Sequence, residues 1–220
     1  MFRGICVLML AGVACSLPSV AQDAVLGDFE GDTYGTWKAT GEAFGSGPAH
    51  GTLAGQMDVT GFKGKGLVNS FLNGDGATGT LTSPEFVIDK SAISFLIGGG
   101  KYPGETCMNL LIGGKAVRTA TGPNDAPGGS ERLRWQAWDV TEFKGQKATL
   151  QIVDSRTGGW GHINVDHIVM GDKPMSSEQR RNIKIDMPFL NLPIKNGVPK
   201  SVLRIMRGDE ILREYDIELA

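Results

Sequence analysis

The sequence predicts an all-β protein: an antiparallel, jelly-roll-like β-sandwich followed by a partial second β-domain. Three observations lead there. Glycine is abundant, 32 of 220 residues, with 10 prolines, and it follows no third-residue period, so turns are many and collagen is excluded. Short apolar runs alternate with polar residues between those turns. No stretch keeps a helical period over three turns.

The elements are taken in chain order. Residues 1–21 read as a signal peptide: Arg3, an apolar run from Gly4 to Cys15, and Ser19-Val20-Ala21 before Gln22. The run is too short for a membrane span. Secretion or delivery to the periplasm is the expectation. A lipoprotein cut before Cys15 is less favoured, because Gly12 stands where a branched aliphatic residue is wanted. Residues 23–173 hold 28 of the 32 glycines and form the expected sandwich. Within it, Ser91 to Ile97 places Ile93, Phe95 and Ile97 on one face. Thr106 to Ile112 and Lys115 to Thr119 flank Gly113-Gly114, a two-residue hairpin signal. Trp135 to Val140 and Ala148 to Asp154 alternate, and Gly161 to Met170 is a long strand. Residues 174–178 read as a linker. Residues 179–220 form an incomplete second β-domain, with Val202 to Met206 and Glu210 to Leu219 pairing across Gly208-Asp209. So few strands are marginal alone, and trimming near Arg180-Arg181 is expected.

Charge excludes one class of partner. The net charge is -2, or -3 once Arg3 is removed with the signal, too acidic to neutralise a phosphate backbone. Cys107 is the only cysteine beyond the signal, so it forms no intramolecular disulfide and is expected to be a small buried hydrophobe.

The chemistry-bearing residues concentrate between Asp154 and Ile168. On a strand, His162, Asn164 and Asp166 share one face while Ile163 and Val165 point to the core. A polar face next to Trp160, with Arg156 nearby, suits a sugar: hydroxyls want charged partners, and the C–H face of the ring wants an aromatic platform. The bland alternative is a solvated face with a capping Trp. His162 and His167 are five apart, hence expected on opposite faces, which excludes a same-face zinc pair; His167 reads as an inner-face residue. Arg118 and Glu131 flank a long Gly- and Pro-containing loop and are further ligand candidates. Asp28, Glu30 and Asp32 could join Asp166 in an oxygen-only site; Glu30 and Asp166 are the calcium candidates, with structural calcium the one cofactor considered. Catalysis finds no motif: there is no Gly-x-Ser-x-Gly elbow, no phosphate loop and no motif that pairs two acids for glycoside hydrolysis.

Several motifs carry a resemblance. They are Phe29-Glu30 with Tyr34-Gly35-x-Trp37, Ala43-Phe44-Gly45-Ser46-Gly47-Pro48-Ala49, Gly64-Lys65-Gly66-Leu67-Val68-Asn69-Ser70-Phe71, Thr82-Ser83-Pro84-Glu85-Phe86 and Arg156-Thr157-Gly158-Gly159-Trp160-Gly161-His162-Ile163-Asn164-Val165-Asp166. As a set, over residues 25 to 170, they resemble the N-terminal β-sandwich module of secreted glycoside hydrolase family 32 enzymes, the levanases and inulinases. Pro188 to Gly197 and Arg213 to Ala220 are similar to the segment that succeeds that module. In the family a five-bladed catalytic propeller comes next, with Asn-Asp-Pro-Asn-Gly-like, Arg-Asp-Pro and Glu-Cys-Pro motifs. None of these occurs in this chain. The resemblance therefore implies a non-catalytic accessory module that binds β-fructan, levan or inulin, in a chain ending before its catalytic domain. The alternatives are a hydrolase fragment or precursor lacking that domain, and a structural spacer packing on a catalytic domain.

Overall fold

A computed structural model describes residues 22–176, 183–184, 189–197, 201–208 and 210–218. The expected signal peptide with Cys6 and Cys15, linker residues 177–178 and Arg180-Arg181 lie outside the described residues. The chain divides after residue 178 into two compact units.

The first unit is built from β1 (Ala24–Gly27), β2 (Lys38–Gly41), β3 (Val68–Asn69), β4 (Gly79–Thr82), β5 (Phe86–Val87), β6 (Ala92–Gly99), β7 (Thr106–Ile112), β8 (Lys115–Ala120), β9 (Arg134–Asp139), β10 (Lys147–Asp154) and β11 (Ile163–Gly171). They form two antiparallel sheets. One runs β1-β11-β6-β9, with β3 also paired to β11; the other runs β2-β4-β10-β7-β8, with β5 on β10. From β6 onward the chain crosses repeatedly between sheets, which is the jelly-roll-like connectivity the turns suggested. The β7–β8 turn requires φ > 0 at both central residues, and Gly113 (+56°) and Gly114 (+78°) supply it.

Between the sheets lies an apolar layer. β10 turns Ala148, Leu150 and Ile152 inward at every second position, and β6 contributes Ile93, Phe95 and Ile97. Phe95 and Trp138 meet with ring centroids 4.6 Å apart. Each such buried side chain contributes about 1.5–3 kcal/mol.

The outer face of the β11–β6 sheet is covered as well. Leu96 and Leu133 pack there with Val59 and Leu67, flanked by Ala49, Phe62 and Trp135. The segment 49–67 therefore lies across this face. It is pinned by Leu133 N–H donating to the Thr60 carbonyl (2.8 Å) and by a reciprocal amide pair between Gln56 and Asn69. The polar row on this face is buried: His162 is 3% exposed, and Asn164 and Asp166 are 0%.

A bulge between Asp166 and Val169, with His167 at φ +47°, breaks the alternation. His167 is therefore not an inner-face residue. Its Nε2 lies 3.4 Å from Lys63 Nζ, and its ring meets Trp135 edge-on, both on the outer side. Cys107 is buried, as expected of a small hydrophobe. Met175 ties the end of the unit back to β6, its N–H donating to Ser94 Oγ (2.8 Å).

The second unit contains the hairpin β12 (Ser201–Arg207) and β13 (Glu210–Ile217). Gly208 turns it at φ +62°. Cross-strand ion pairs join Arg204 to Glu214 (2.6 Å) and Arg207 to Glu210 (2.8 Å). Ile211 and Tyr215 are exposed.

Candidate functional site

β10 ends at Asp154 and the chain crosses to β11 through a Gly-rich loop. Ser155 N–H donates to the Glu105 carbonyl (2.8 Å), Gly158 N–H to that of Asp75 (2.9 Å) and Gly161 N–H to that of Gly158 (2.7 Å). These bonds fix Trp160 in the left-handed region at φ +60°. Its indole N–H donates to the Ala126 carbonyl (2.9 Å), and the residue is 9% exposed. The open aromatic platform that the Gly-flanked position suggested is thus an edge, because the 124–131 loop folds over the ring.

Next to it, His162 is clamped. Nδ1 faces Asp75 Oδ1 at 2.6 Å and Nε2 faces Glu131 Oε1 at 2.8 Å. A carboxylate oxygen on each ring nitrogen favours the doubly protonated ring, in which both nitrogens donate. Burial opposes that charge, but Glu131 and Asp75 outweigh it and hold the His162 pKa above the ordinary histidine value. Glu131 is itself buried, and its second oxygen accepts from Asn164 Nδ2 (2.8 Å). Phe71 meets His162 edge-on at 4.8 Å, and Trp160 lies at 5.6 Å with a 30° tilt.

This constellation lines a pocket of about 470 Å³. Met57, Phe71 and Trp160 give it apolar edges, and Asp75, Glu131 and His162 give it charge. Of the residues singled out in the sequence, the structure brings Glu131, Trp160 and His162 to this pocket, with Asn164 behind them.

The others lie elsewhere. Arg156 stacks 3.5 Å over the Tyr102 ring and pairs with Glu105 (3.1 Å). Arg118 pairs with Glu142 and lies over Phe143. Neither lines the pocket. Sequence reasoning misses Asp75, Phe71 and Met57. Asp75 sits in Asn73-Gly74-Asp75-Gly76, which reads as ordinary turn chemistry.

Asp166 lies toward the other end of β11. Its carboxylate accepts from the amides of Lys63 and His167, both at 2.7 Å. Burial pushes its pKa up to about 6, the two amides oppose the rise, and Glu30 and Asp28 add to it. Glu30 accepts from the amides of Lys65 (2.9 Å) and Gly66 (3.2 Å), which hold its carboxyl below the usual range. These oxygens already face N–H donors, and a calcium ion would compete with them. Among the described residues no group of three or more His, Cys, Asp or Glu is placed to hold a metal.

No family model matches the chain. It is 49% identical over 144 residues to an Aspergillus rugulosus protein named as a glycosyl hydrolase, ecdE; the alignment takes 64% of this chain and 20% of that protein. The chain thus spans about a fifth of the relative's length. Among solved structures, the K2 adhesin domain of Lys-gingipain is 16% identical and covers 67% of this chain and 97% of its own, with a TM-score of 0.47. The K3 adhesin domain of Lys-gingipain from Porphyromonas gingivalis W83 is 13% identical, covering 68% and 99%, at 0.42. A family 35 carbohydrate-binding module from Clostridium thermocellum is 12% identical, covering 68% and 97%, at 0.35. These neighbours are β-sandwich adhesin and carbohydrate-binding modules.

Proposed function

We propose that the first unit is a non-catalytic carbohydrate-binding module of an exported protein, that its sugar site is the Trp160–His162 pocket, and that its ligand is a β-fructan chain. One observation carries this reading: the pocket sets apolar edges from Met57, Phe71 and Trp160 beside carboxylates held by His162. A sugar offers both faces that such a site matches, C–H groups for the edges and hydroxyls for the acceptors. A segment 49% identical occurring inside a protein named as a glycosyl hydrolase agrees with it. The choice of fructan rests on the resemblance to the levanase and inulinase module.

Affinity electrophoresis of the full chain in levan and inulin gels tests it. Retardation equivalent to roughly 0.1–1 mM, about -4 to -5.5 kcal/mol, is expected. Met57→Asp, at an exposed pocket position, should abolish it without changing the circular dichroism. No fructose should be released from levan, inulin or sucrose.

A second reading, a spacer packed on a catalytic domain, is favoured by the covered Trp160 ring and by Arg156 being occupied with Glu105 and Tyr102. Under that reading neither gel retards the protein.

A further inference from the structure

Two loops far apart in sequence form walls of the pocket, and one side chain joins them. The turn Asn73-Gly74-Asp75-Gly76 brings Asp75, and the 124–131 loop brings Glu131. Both carboxylates end on the His162 ring, Asp75 Oδ1 at Nδ1 (2.6 Å) and Glu131 Oε1 at Nε2 (2.8 Å). Both contacts attract while both nitrogens carry a hydrogen. A neutral imidazole has one N–H and one lone pair, so one of the two carboxylates would then face a lone pair.

The walls are not held equally. The Glu131 side chain is 2% exposed, and its second oxygen accepts from Asn164 Nδ2 (2.8 Å). Its loop is pinned further: Asn124 Nδ2 donates to the Gly99 and Ser130 carbonyls, both at 2.9 Å, and the Trp160 indole donates to the Ala126 carbonyl. The Asp75 side chain is 28% exposed. Its turn is held by the Gly74 amide on the Phe71 carbonyl (3.0 Å) and the Gly158 amide on the Asp75 carbonyl (2.9 Å). Water can replace the imidazole at Asp75, whereas a buried Glu131 deprived of its donor bears the full cost of desolvation. The single hydrogen of a neutral His162 therefore stays on Nε2 with Glu131, and Asp75 is the wall that lets go.

The charges around the ring act in the same sense. Burial opposes the His162 charge, but Glu131 and then Asp75 outweigh it, so its pKa lies above the ordinary histidine value. Behind the ring, Asp154 ends β10; burial pushes it up to about 7, and it senses the His162 charge. Once ionised, it strengthens the hold on the imidazolium. Arg156 is committed to Glu105 (3.1 Å) and to the face of Tyr102, although its buried Nε has no partner among the described residues. Asp125, also at the pocket, pairs with Lys101 (3.3 Å). Phe71 and Trp160, the aromatic neighbours of the ring, carry no charge.

We propose that the pocket is proton-gated: doubly protonated His162 ties its two walls together, and loss of the Nδ1 hydrogen as pH rises frees the Asp75 wall and releases the ligand. Release of a ligand rests on the sugar reading of this pocket; movement of the wall does not.

NMR titration of the full chain from about pH 6 to 10 follows the wall, and calorimetry with levan over the same range follows the release. His162 should titrate above His167, whose charge is disfavoured. Its Nδ1 hydrogen signal should vanish while that on Nε2 persists, and the amide shifts of Gly74, Asp75 and Gly76 should track the same curve. Levan affinity should fall along it by roughly tenfold, the worth of one hydrogen bond to a charged group. In Asp75→Asn the new amide can offer its oxygen to the N–H or its own N–H to the lone pair, so affinity should stay level across the range. Asp154→Asn should keep a pH-dependent release. A wild-type affinity that is level through the His162 titration overturns the gate and leaves the sugar site standing. The gate is also overturned by a pH-dependent loss that persists in Asp75→Asn or disappears in Asp154→Asn, or by a neutral ring that keeps the Nδ1 hydrogen. Should Asp154→Asn fail to fold, Asp75→Asn and the ring signals still decide. If levan binds at no pH, the sugar reading falls, and the ring and amide shifts still decide whether the wall moves.

Discussion

The stretch from His162 through β11 carries two acid–histidine groupings, one toward each end, and it handles them in opposite ways. His162 has a carboxylate on each ring nitrogen, and its charge is favoured. His167, five residues on, has its charge disfavoured, first by partial burial and then by the neighbouring Lys63 ammonium. The acids differ too. Glu131 is satisfied by side chains that themselves depend on it, whereas Asp166 is satisfied by backbone amides. The chemistry of a residue on this strand is set by what lies over the sheet. Two separate loops bring Asp75 and Glu131 to one end, and the covering segment brings the Lys63 amide and ammonium to the other.

The sharpest way to break the comparison is to remove one acid from each end. Glu131→Ala strands His162 with Asp75 alone and leaves Asn164 Nδ2 without its acceptor; it should cost about 3–5 kcal/mol in urea unfolding. Asp166→Ala leaves two amides to find other acceptors and should cost about 1–3 kcal/mol. Equal losses would show that the two ends are energetically alike.

A pH series sharpens the contrast next. Asp154 (about 7), Asp166 (about 6) and His162 (raised) all hold protons more tightly folded than unfolded. Stability from such groups is complete below their unfolded values and is lost as pH rises through the folded ones. In EDTA, the urea midpoint should therefore fall between about pH 4 and 8. Asp154 should account for roughly 2–4 kcal/mol, and Asp154→Asn should flatten much of the slope. Glu30, with its lowered value, acts in the opposite sense, and its contribution disappears as pH falls below about 4.5. A midpoint that rises with pH would mean that acids with lowered values, such as Glu30, dominate.

The smallest effect concerns the bulge. His167 holds a left-handed conformation that glycine adopts freely. His167→Gly should leave stability unchanged or raise it by up to about 1 kcal/mol. Trp160 shares that conformation, but Trp160→Gly should destabilise strongly, since its ring is packed. Parallel urea titrations compare the two.

Legibility in the sequence divides along similar lines. The strands from β6 onward are readable, because each is an alternating apolar run between glycines, and the Gly113-Gly114 hairpin stands where its signal places it. The first third is not readable from its pattern. β3 and β5 have two residues each, and β2 is exposed throughout. The covering segment buries isolated residues such as Val59 and Leu67 without any period. Alternation assigns Asn164 and Asp166 to the outer face correctly, but it says only which face a side chain takes. Whether that face is wet depends on distant segments, with Lys63 over Asp166 and with Asp75 and Glu131 over His162 and Asn164. Glu131 stands out as a loop flank and Trp160 as a Gly-flanked aromatic. Nothing local announces that Asp75 completes the clamp on His162.

The pairing of the first strand with the last has a consequence for how such a unit can be used. Ala24 lies opposite Met170 across the β1–β11 ladder, and antiparallel partners are only about 4.5–5.5 Å apart at Cα. Entry and exit of the polypeptide therefore emerge side by side. The sandwich is geometrically a cassette: it can be spliced into a surface loop of another protein without prising that loop apart. Bridging 171 to 24 with a short glycine tether and opening the chain at Gly113-Gly114 should yield a permuted molecule with the same two sheets.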